Sequence, residues 1–155
     1  MKISFALLLV ALATIAASEK TYNVKCETSD ASPYLHNVNE LIDNLNKAPQ
    51  GENSCNPGPV NGCGKTVTGY SGSGGAAYML CGEGFRCSGD PGGVPCSAGG
   101  CGGLMTGLIG GFFAKLRDEC QGPDSNGDIR VGGTIELLSG GESDGTELRL
   151  FSKPG

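Results

Sequence analysis

The sequence predicts a single α+β domain in which two helices cover one face of an antiparallel sheet and disulfide bonds reinforce the two layers. Three observations predict this class. Apolar residues recur at helical spacing in two segments, 34–47 and 101–120. Several short segments alternate apolar and polar residues, as strands with one buried face do. Eight cysteines are distributed among these elements.

Residues 1–18 have the pattern of a secretory signal peptide. Lys2 supplies a positive charge, an apolar run follows at 5–15, and small residues at 16–18 provide a cleavage site. The apolar run is shorter than the roughly 20 residues that a membrane-spanning helix needs. We therefore expect a secreted, extracellular protein with one cysteine-rich domain at 19–155.

The cysteines all belong to this expected mature domain. An even number of cysteines in a small secreted domain favours four disulfide bonds, although many pairings are possible and the spacing does not choose among them. No two cysteines have the Cys-x-x-Cys spacing of a zinc site, so no metal or other cofactor is expected. The eight residues are Cys26, Cys55, Cys63, Cys81, Cys87, Cys96, Cys101 and Cys120.

The first predicted elements are a strand and a helix. Alternation at 21–26 predicts a short strand with one buried face. Ser32 and Pro33 predict the cap and the first turn of a helix that ends near Lys47.

A hairpin is predicted in the middle of the chain, with strands at 64–70 and 76–81. The segments 49–63 and 82–100 on either side of it are rich in Gly and Pro, and we expect them to be irregular. Disulfide bonds can replace the local core that such segments lack. The cysteines expected to hold them are Cys55, Cys63, Cys87 and Cys96.

The C-terminal part predicts two more strands. Residues 129–137 alternate as one long strand, in which Gly132 and Gly133 indicate a bulge or bend. A loop at 139–146 then leads to a final strand at 147–152. With this order of elements, the economical packing is a split βαβ, or ferredoxin-like, two-layer sandwich.

The segment 101–120 predicts a helix with an apolar side and a nearly bare side. Each interior Gly costs a helix about 0.5–1 kcal/mol relative to Ala, so a run of them needs a reason. The apolar side carries Leu104, Met105, Leu108, Ile109, Phe112, Phe113 and Leu116. The bare side, which we call the glycine row, carries Gly103, Gly107, Gly110, Gly111 and Ala114.

Three interpretations of the glycine row are open. It packs beneath the segment 82–100 or the first helix, because Gly permits close approach of two backbones. Alternatively it binds a partner, either a host protein or a second copy of the chain. In the third interpretation the helix inserts into a membrane, although its terminal cysteines and the acidic residues Asp118 and Glu119 oppose membrane contact.

Catalytic and metal-binding patterns are weak. The single histidine, His36, falls on the polar side of the first helix and has no nucleophile at a suggestive spacing. The segment 124–128 begins like a calcium loop, but Ile129 and Ile135 occupy the positions that require Gly and Glu. Paired carboxylates of a glycosidase are available, but solvated turns explain them more simply. These carboxylates are Glu136, Glu142, Asp144 and Glu147.

Charge and composition argue against nucleic-acid binding. The formal net charge is −5 at pH 7, and the sequence contains no Lys/Arg cluster. Trp is absent and other aromatic residues are few, which leaves few platforms for stacking bases.

Four local patterns occur together in this chain. A Cys ends the first strand at 24–26, a hairpin strand closes on Cys at 76–81, a long helix ends in Cys120, and a Gly-containing strand follows at 130–135. Together they resemble small secreted cysteine-rich proteins of fungi, which include the virally encoded killer toxins of smut fungi and related necrosis-inducing effector families.

The resemblance implies a secreted effector-like or killer-toxin-like protein that binds an extracellular or host target and performs no catalysis. Two alternatives are a secreted enzyme or enzyme inhibitor, and a membrane-permeabilising toxin that uses the helix 101–120.

Overall fold

The structure is a computed structural model, and it describes residues 21–56, 62–64, 66–68, 70, 75–87, 103–139 and 142–153. The expected signal peptide therefore lies outside the described residues. The helices are α1 (Leu35–Asn46) and α2 (Thr106–Cys120), and a 3₁₀ turn spans Glu83–Phe85. The strands are β1 (Tyr22–Cys26), β2 (Asn53–Ser54), β3 (Ala76–Cys81), β4 (Leu104–Met105), β5 (Gly122–Pro123), β6 (Ile129–Arg130), β7 (Gly133–Ser139) and β8 (Glu142–Ser152).

Four strands form the main sheet in the order β1-β7-β8-β3, with every neighbouring pair antiparallel. An apolar row crosses this sheet, because Val24 lies opposite Ile135, Ile135 opposite Leu148, and Leu148 opposite Leu80. Directly opposed residues share a face of the sheet. This face is therefore the one that packs against the helices.

Both helices contribute to one hydrophobic core with that face. Burial of these side chains is the main force that holds the two layers together. The Tyr78 and Phe113 rings meet edge to face with centroids 5.3 Å apart. The fully or almost fully buried helix residues are Val38, Leu41, Ile42 and Leu45 of α1, and Ile109, Phe113 and Leu116 of α2. The predicted α+β class, with two helices on one face of an antiparallel sheet, is confirmed.

The strand order carries one split βαβ relation. Because β3 and β7 both pair antiparallel with β8, they are parallel to each other with one strand between them, and α2 connects them. The strands that flank α1, β1 and β3, are antiparallel and lie at opposite edges of the sheet. The specific ferredoxin-like sandwich is therefore not confirmed.

Three disulfide bonds join Cys26 to Cys120, Cys55 to Cys87, and Cys63 to Cys81. All cysteines within the described part of the chain are paired. The cysteines of the segment 49–63 thus reach outward to two other elements and do not pair with each other. Cys96 and Cys101 lie outside the described residues, so the fourth bond stays a prediction.

Helix α2 begins five residues later than predicted. Gly103 has a φ of +81°, a backbone conformation outside the right-handed helix. Leu104 and Met105 then pair with Ser54 and Asn53 to form the two-stranded sheet β2–β4. Pairing with a distant strand therefore takes precedence over the helical periodicity of these residues.

The predicted cap of α1 is wrong. The N-cap residue is Tyr34, which makes no side-chain hydrogen bond to the helix. Ser32 instead accepts a hydrogen bond from the Ser29 N–H at 3.0 Å and donates one to the Glu27 carbonyl oxygen. Its hydroxyl shapes the preceding turn.

The predicted strand boundaries near the C-terminus also need correction. The expected long strand is interrupted after Arg130, and the chain enters the main sheet at Gly133 with a φ of +150°. The bulge lies further along, between Glu136 and Leu138. The loop predicted at 139–146 is wrong, because strand pairing continues between Ser139 and Glu142.

The predicted strand at 64–70 is represented by one isolated antiparallel bridge to β3, which joins Val67 to Tyr78. A second bridge joins Cys81 to Cys63, which lies just before the predicted strand. The hairpin partner was therefore predicted correctly, although a continuous strand was not formed by the described residues of this segment.

Candidate functional site on helix α2

Helix α2 occupies the position over the edge of the sheet. It contacts β1 and β7 below it, whereas α1 contacts β3, so the two helices lie side by side. The Thr106 N–H donates to the Glu52 carbonyl oxygen at 2.9 Å at the start of α2. The Cys26–Cys120 bond holds the other end. The helix is therefore anchored at both termini.

The glycine row lies partly between the two helices. At Gly110, which is buried, an added Cβ would collide with the Asn46 side chain and lie 3.2 Å from the Ile42 carbonyl oxygen. The corresponding atom at Gly107 would lie 3.9 Å from the Leu45 carbonyl oxygen. Gly110 thus permits the close approach of α1, as the first interpretation of the row proposed.

The remaining members of the row have different surroundings. Gly103 precedes the helix, and its backbone lies against the Ser54 carbonyl group. Ala114 is half-buried and packs against the core. At Gly111, no atom of another described element lies within 4 Å of an added Cβ. The row therefore does not form one continuous open strip. Binding of a partner through the row stays a prediction, and Gly111 is the member whose position would allow it.

The apolar side of α2 is only partly covered. Ile109 and Phe113 are fully buried, but 52% of Leu108 and 45% of Met105 are exposed. The sequence placed all four on the buried side. Periodicity does not encode that α2 sits over an edge strand, so it could not show which apolar residues lack a cover. We call the exposed set, Met105, Leu108 and Gly111, the α2 ridge.

Aromatic and basic groups border the α2 ridge on the β1 side. The half-buried Phe112 ring meets the edge of the Tyr22 ring, with centroids 6.0 Å apart. The Lys115 ammonium lies 5.2 Å from the Tyr22 ring centroid, within the range of a cation–π contact. These contacts fix the orientation of α2 on the sheet.

A polar cluster lies under the start of α2. The Tyr70 hydroxyl donates to Glu52 Oε1 at 2.6 Å, and the hydroxyls of Ser54 and Thr106 are hydrogen-bonded at 3.0 Å. Tyr78 is fully buried, and its hydroxyl makes no hydrogen bond within the described part of the structure. Burial raises the pKa of Tyr78 to about 12, so this phenol stays neutral at physiological pH. Tyr78 therefore contributes to the packing under α2 as a neutral side chain.

Two of the four candidate carboxylates are brought together by the β7–β8 pairing. Glu136 lies directly opposite Glu147. Lys25 Nζ contacts Glu136 Oε2 at 2.6 Å, which raises the pKa of Lys25, and Arg149 forms an ion pair with Glu147. Each carboxylate thus has a cation beside it. The side chains of residues 142 and 144 lie outside the described part.

The acidic turn at 124–128 uses its carboxylate internally. Asp124 Oδ1 accepts hydrogen bonds from the N–H groups of Asn126 and Asp128, and Arg130 Nε donates to Oδ2 at 2.7 Å. The hydrogen bond from Arg130 and those from the two backbone groups lower the pKa of Asp124. Among the described residues, no group of three or more potential metal ligands is found.

His36 is exposed, as predicted, and stacks on the Tyr34 ring with centroids 5.6 Å apart. The Arg130 guanidinium lies 3.7 Å from the centroid of the same ring. The sequence did not indicate this contact, because it joins residues nearly one hundred positions apart in the chain.

Comparison of the chain with protein-family models, curated proteins and solved structures finds no match. No helix in the described part is long and apolar enough to cross a membrane.

Proposed function

We propose that this protein is a secreted, effector-like or killer-toxin-like binding protein that recognises an extracellular or host protein through the α2 ridge and performs no catalysis. The observation that carries the proposal is the exposure of Leu108, 52% of which remains accessible in a chain with a well-formed core. Large apolar side chains grouped on a rigid surface are typical of protein-binding sites.

The shape of the ridge favours a protein partner. Fully burying an exposed Leu or Met side chain contributes about 1.5–3 kcal/mol. About half of Leu108 and of Met105 is exposed, so covering both would contribute about 1.5–3 kcal/mol in total. Gly111 leaves space beside Leu108, which allows a partner's backbone or side chain to approach closely.

Rigidity of α2 strengthens the same argument. The helix is held by its buried apolar residues and by the Cys26–Cys120 bond, so little conformational entropy is lost when a partner binds. Three disulfide bonds within the described part are also compatible with secretion, because disulfides persist in oxidising environments. The split βαβ relation of β3, α2 and β7 is the part of the predicted ferredoxin-like arrangement that this proposal retains.

The experiment compares two charge-introducing variants. Leu108→Asp alters the ridge, whereas Ile129→Asp alters another exposed apolar side chain, 39% accessible, which lies outside the α2 ridge on β6. Fluorescently labelled protein is applied to candidate target cells, and saturable binding that unlabelled protein displaces is measured. We expect wild type and Ile129→Asp to bind alike and Leu108→Asp to lose at least tenfold in affinity.

Equal binding by the two variants would contradict the ridge as the binding site. The same preparations are tested for dye release from liposomes. Leakage that requires Leu108 would favour the membrane-permeabilising alternative, and no leakage is expected for a protein-binding function.

A further inference from the structure

Strand β1 forms one edge of the main sheet and pairs with β7 on one side only. Two hydrogen bonds show which of its backbone groups face β7: the Glu27 N–H donates to the Gly132 oxygen at 2.9 Å, and the Leu138 N–H donates to the Thr21 oxygen at 3.0 Å. In an antiparallel pair this direction alternates from residue to residue. The residues whose N–H and C=O groups point away from β7 are therefore Tyr22, Val24 and Cys26.

The side chains of this edge are incompletely covered. Tyr22 and Val24 belong to the face that packs against the helices, yet both are only half-buried. No described strand lies beyond β1 to cover them. The edge thus combines apolar surface with backbone groups that have no partner among the described residues, and these are the two features that strand addition uses.

Helix α2 is placed so that a second copy would fit at this edge. It contacts both β1 and β7, so its axis runs roughly above the gap between them. Strands lie about 4.8 Å apart, so pairing two β1 edges would bring the two α2 axes to about 10 Å from each other. Packed helices are separated by about 8–10 Å. Pairing of the two β1 strands would therefore extend the sheet and pack the two α2 helices against each other at the same time.

We propose that two copies of this chain associate by antiparallel pairing of their β1 strands about a two-fold axis at Val24. This register places Tyr22 opposite the partner's Cys26 and uses every outward backbone group of β1. It also places Asn23 opposite the partner's Lys25, so no like charges meet. The interface uses Lys115 and Glu119 in the C-terminal half of α2, next to the α2 ridge, and the inference goes beyond the proposed function.

Charges on α2 are complementary in this arrangement. Phe112 and Lys115 lie beside Tyr22, and Cys120 is bonded to Cys26, so Val24 lies level with the helix between positions 115 and 120. A two-fold axis there brings Lys115 beside the partner's Glu119, and the pair occurs twice. Both side chains are exposed in the single chain.

Lys25 does not prevent the pairing. Lysines on edge strands often block the approach of another strand. Here the Lys25 ammonium is held by Glu136 at 2.6 Å, on the sheet face away from the helices, so its charge is compensated within the same chain.

A charge-exchange experiment tests the proposal. Sedimentation velocity at up to hundreds of micromolar is expected to show a reversible dimer for wild type. Lys115→Glu alone and Glu119→Lys alone each place like charges together at two positions, and each should weaken the dimer about tenfold or more. Mixing the two variants should restore association, because each heterodimer contains two opposite-charge pairs.

A wild-type protein that stays monomeric throughout this range overturns the proposal, as does a dimer that neither single charge variant weakens.

Val24→Pro gives an independent test, because it removes an outward N–H while the N–H groups that face β7 remain. Val24→Thr, which keeps this N–H, is its control. We expect dimer with Val24→Thr and monomer with a correctly disulfide-bonded Val24→Pro. Retention of the dimer by Val24→Pro would also overturn the β1 interface.

Discussion

At the scale of single residues, Gly110 and Gly111 are neighbours with opposite surroundings. A side chain at Gly110 would displace Asn46 and press on the α1 backbone at Ile42, whereas a Cβ at Gly111 would meet no atom of another element in the described part of the chain. We expect Gly110→Leu to lower the free energy of unfolding by about 1–3 kcal/mol through overpacking. Gly111→Leu should raise it by about 0.5–1 kcal/mol through helix propensity.

Urea unfolding of the two variants measures this difference, and each serves as the control for the other. Equal effects of Leu at both positions would contradict the close packing of α1 on α2. The comparison distinguishes Gly110, which is needed for the packing of α1 on α2, from Gly111, which is exposed.

Asp124 provides a second test at this scale. Its pKa is held below the ordinary value by Arg130 and two backbone N–H groups, so the ionised carboxyl stabilises the folded state. This stabilisation is fully present above the ordinary Asp pKa of about 4 and is lost as pH falls through the lower folded pKa. We expect Asp124→Asn to have a lower unfolding midpoint at pH 7, with the difference from wild type shrinking toward pH 2. A difference that persists at low pH would contradict this role.

At the scale of elements, the disulfide bonds differ in what they constrain. The Cys26–Cys120 bond spans 94 residues of separation and ties the end of α2 to β1, whereas Cys63–Cys81 spans 18 within one strand pair. Loop-closure entropy predicts a loss of about 4.5 kcal/mol for removing the first bond and about 3 kcal/mol for the second.

Double Cys→Ser variants of each pair, compared by urea unfolding, measure these losses. We expect the variant without Cys26–Cys120 to be the less stable one. The reverse order would show that the link between α2 and β1 is not the main covalent constraint on the fold.

Local sequence signals predicted the elements well where neighbours in the chain decide the structure. The expected β1 and β3 match the observed strands to within one residue, and α1 ends one residue before Lys47. The signals failed where distant pairing decides. Leu104 and Met105 left the helical pattern to pair with β2, and β8 extended through a polar segment because β7 lies beside it.

The same distinction applies to the candidate site. The sequence singled out α2 and the glycine row, both of which depend on the order of residues along one element. It could not show that Leu108 is exposed or that Glu136 faces Glu147, because both follow from the strand order. Disulfide pairing is equally non-local, and three of the bonds are known only from the fold.

At the scale of the whole molecule, the remaining cysteines give a prediction about the complete chain. Cys96 and Cys101 complete an even set of eight. We expect them to form the fourth disulfide, because paired cysteines are the rule in small secreted domains. Mass spectrometry after alkylation without reduction should detect no modified cysteine. One or two alkylated residues per molecule would contradict the four-bond description.

Helix α2 contacts both the other helix and the sheet, and part of its surface is exposed. Gly107 and Gly110 face α1, the buried apolar residues face the sheet, and Met105 and Leu108 are left exposed. The core and the disulfide bonds stabilise the helix, and the ridge that they present is available for recognition. Binding through this ridge is the central claim.

Photocrosslinking tests that claim most directly. A photoreactive amino acid replaces Leu108 in one preparation and Ile129 in another, and each is irradiated on target cells with and without excess unlabelled wild-type protein. We predict one discrete crosslinked protein from position 108, which the competitor abolishes, and none from position 129. The same crosslink from both positions, or none from position 108 under conditions in which the protein binds saturably, would contradict recognition through the α2 ridge.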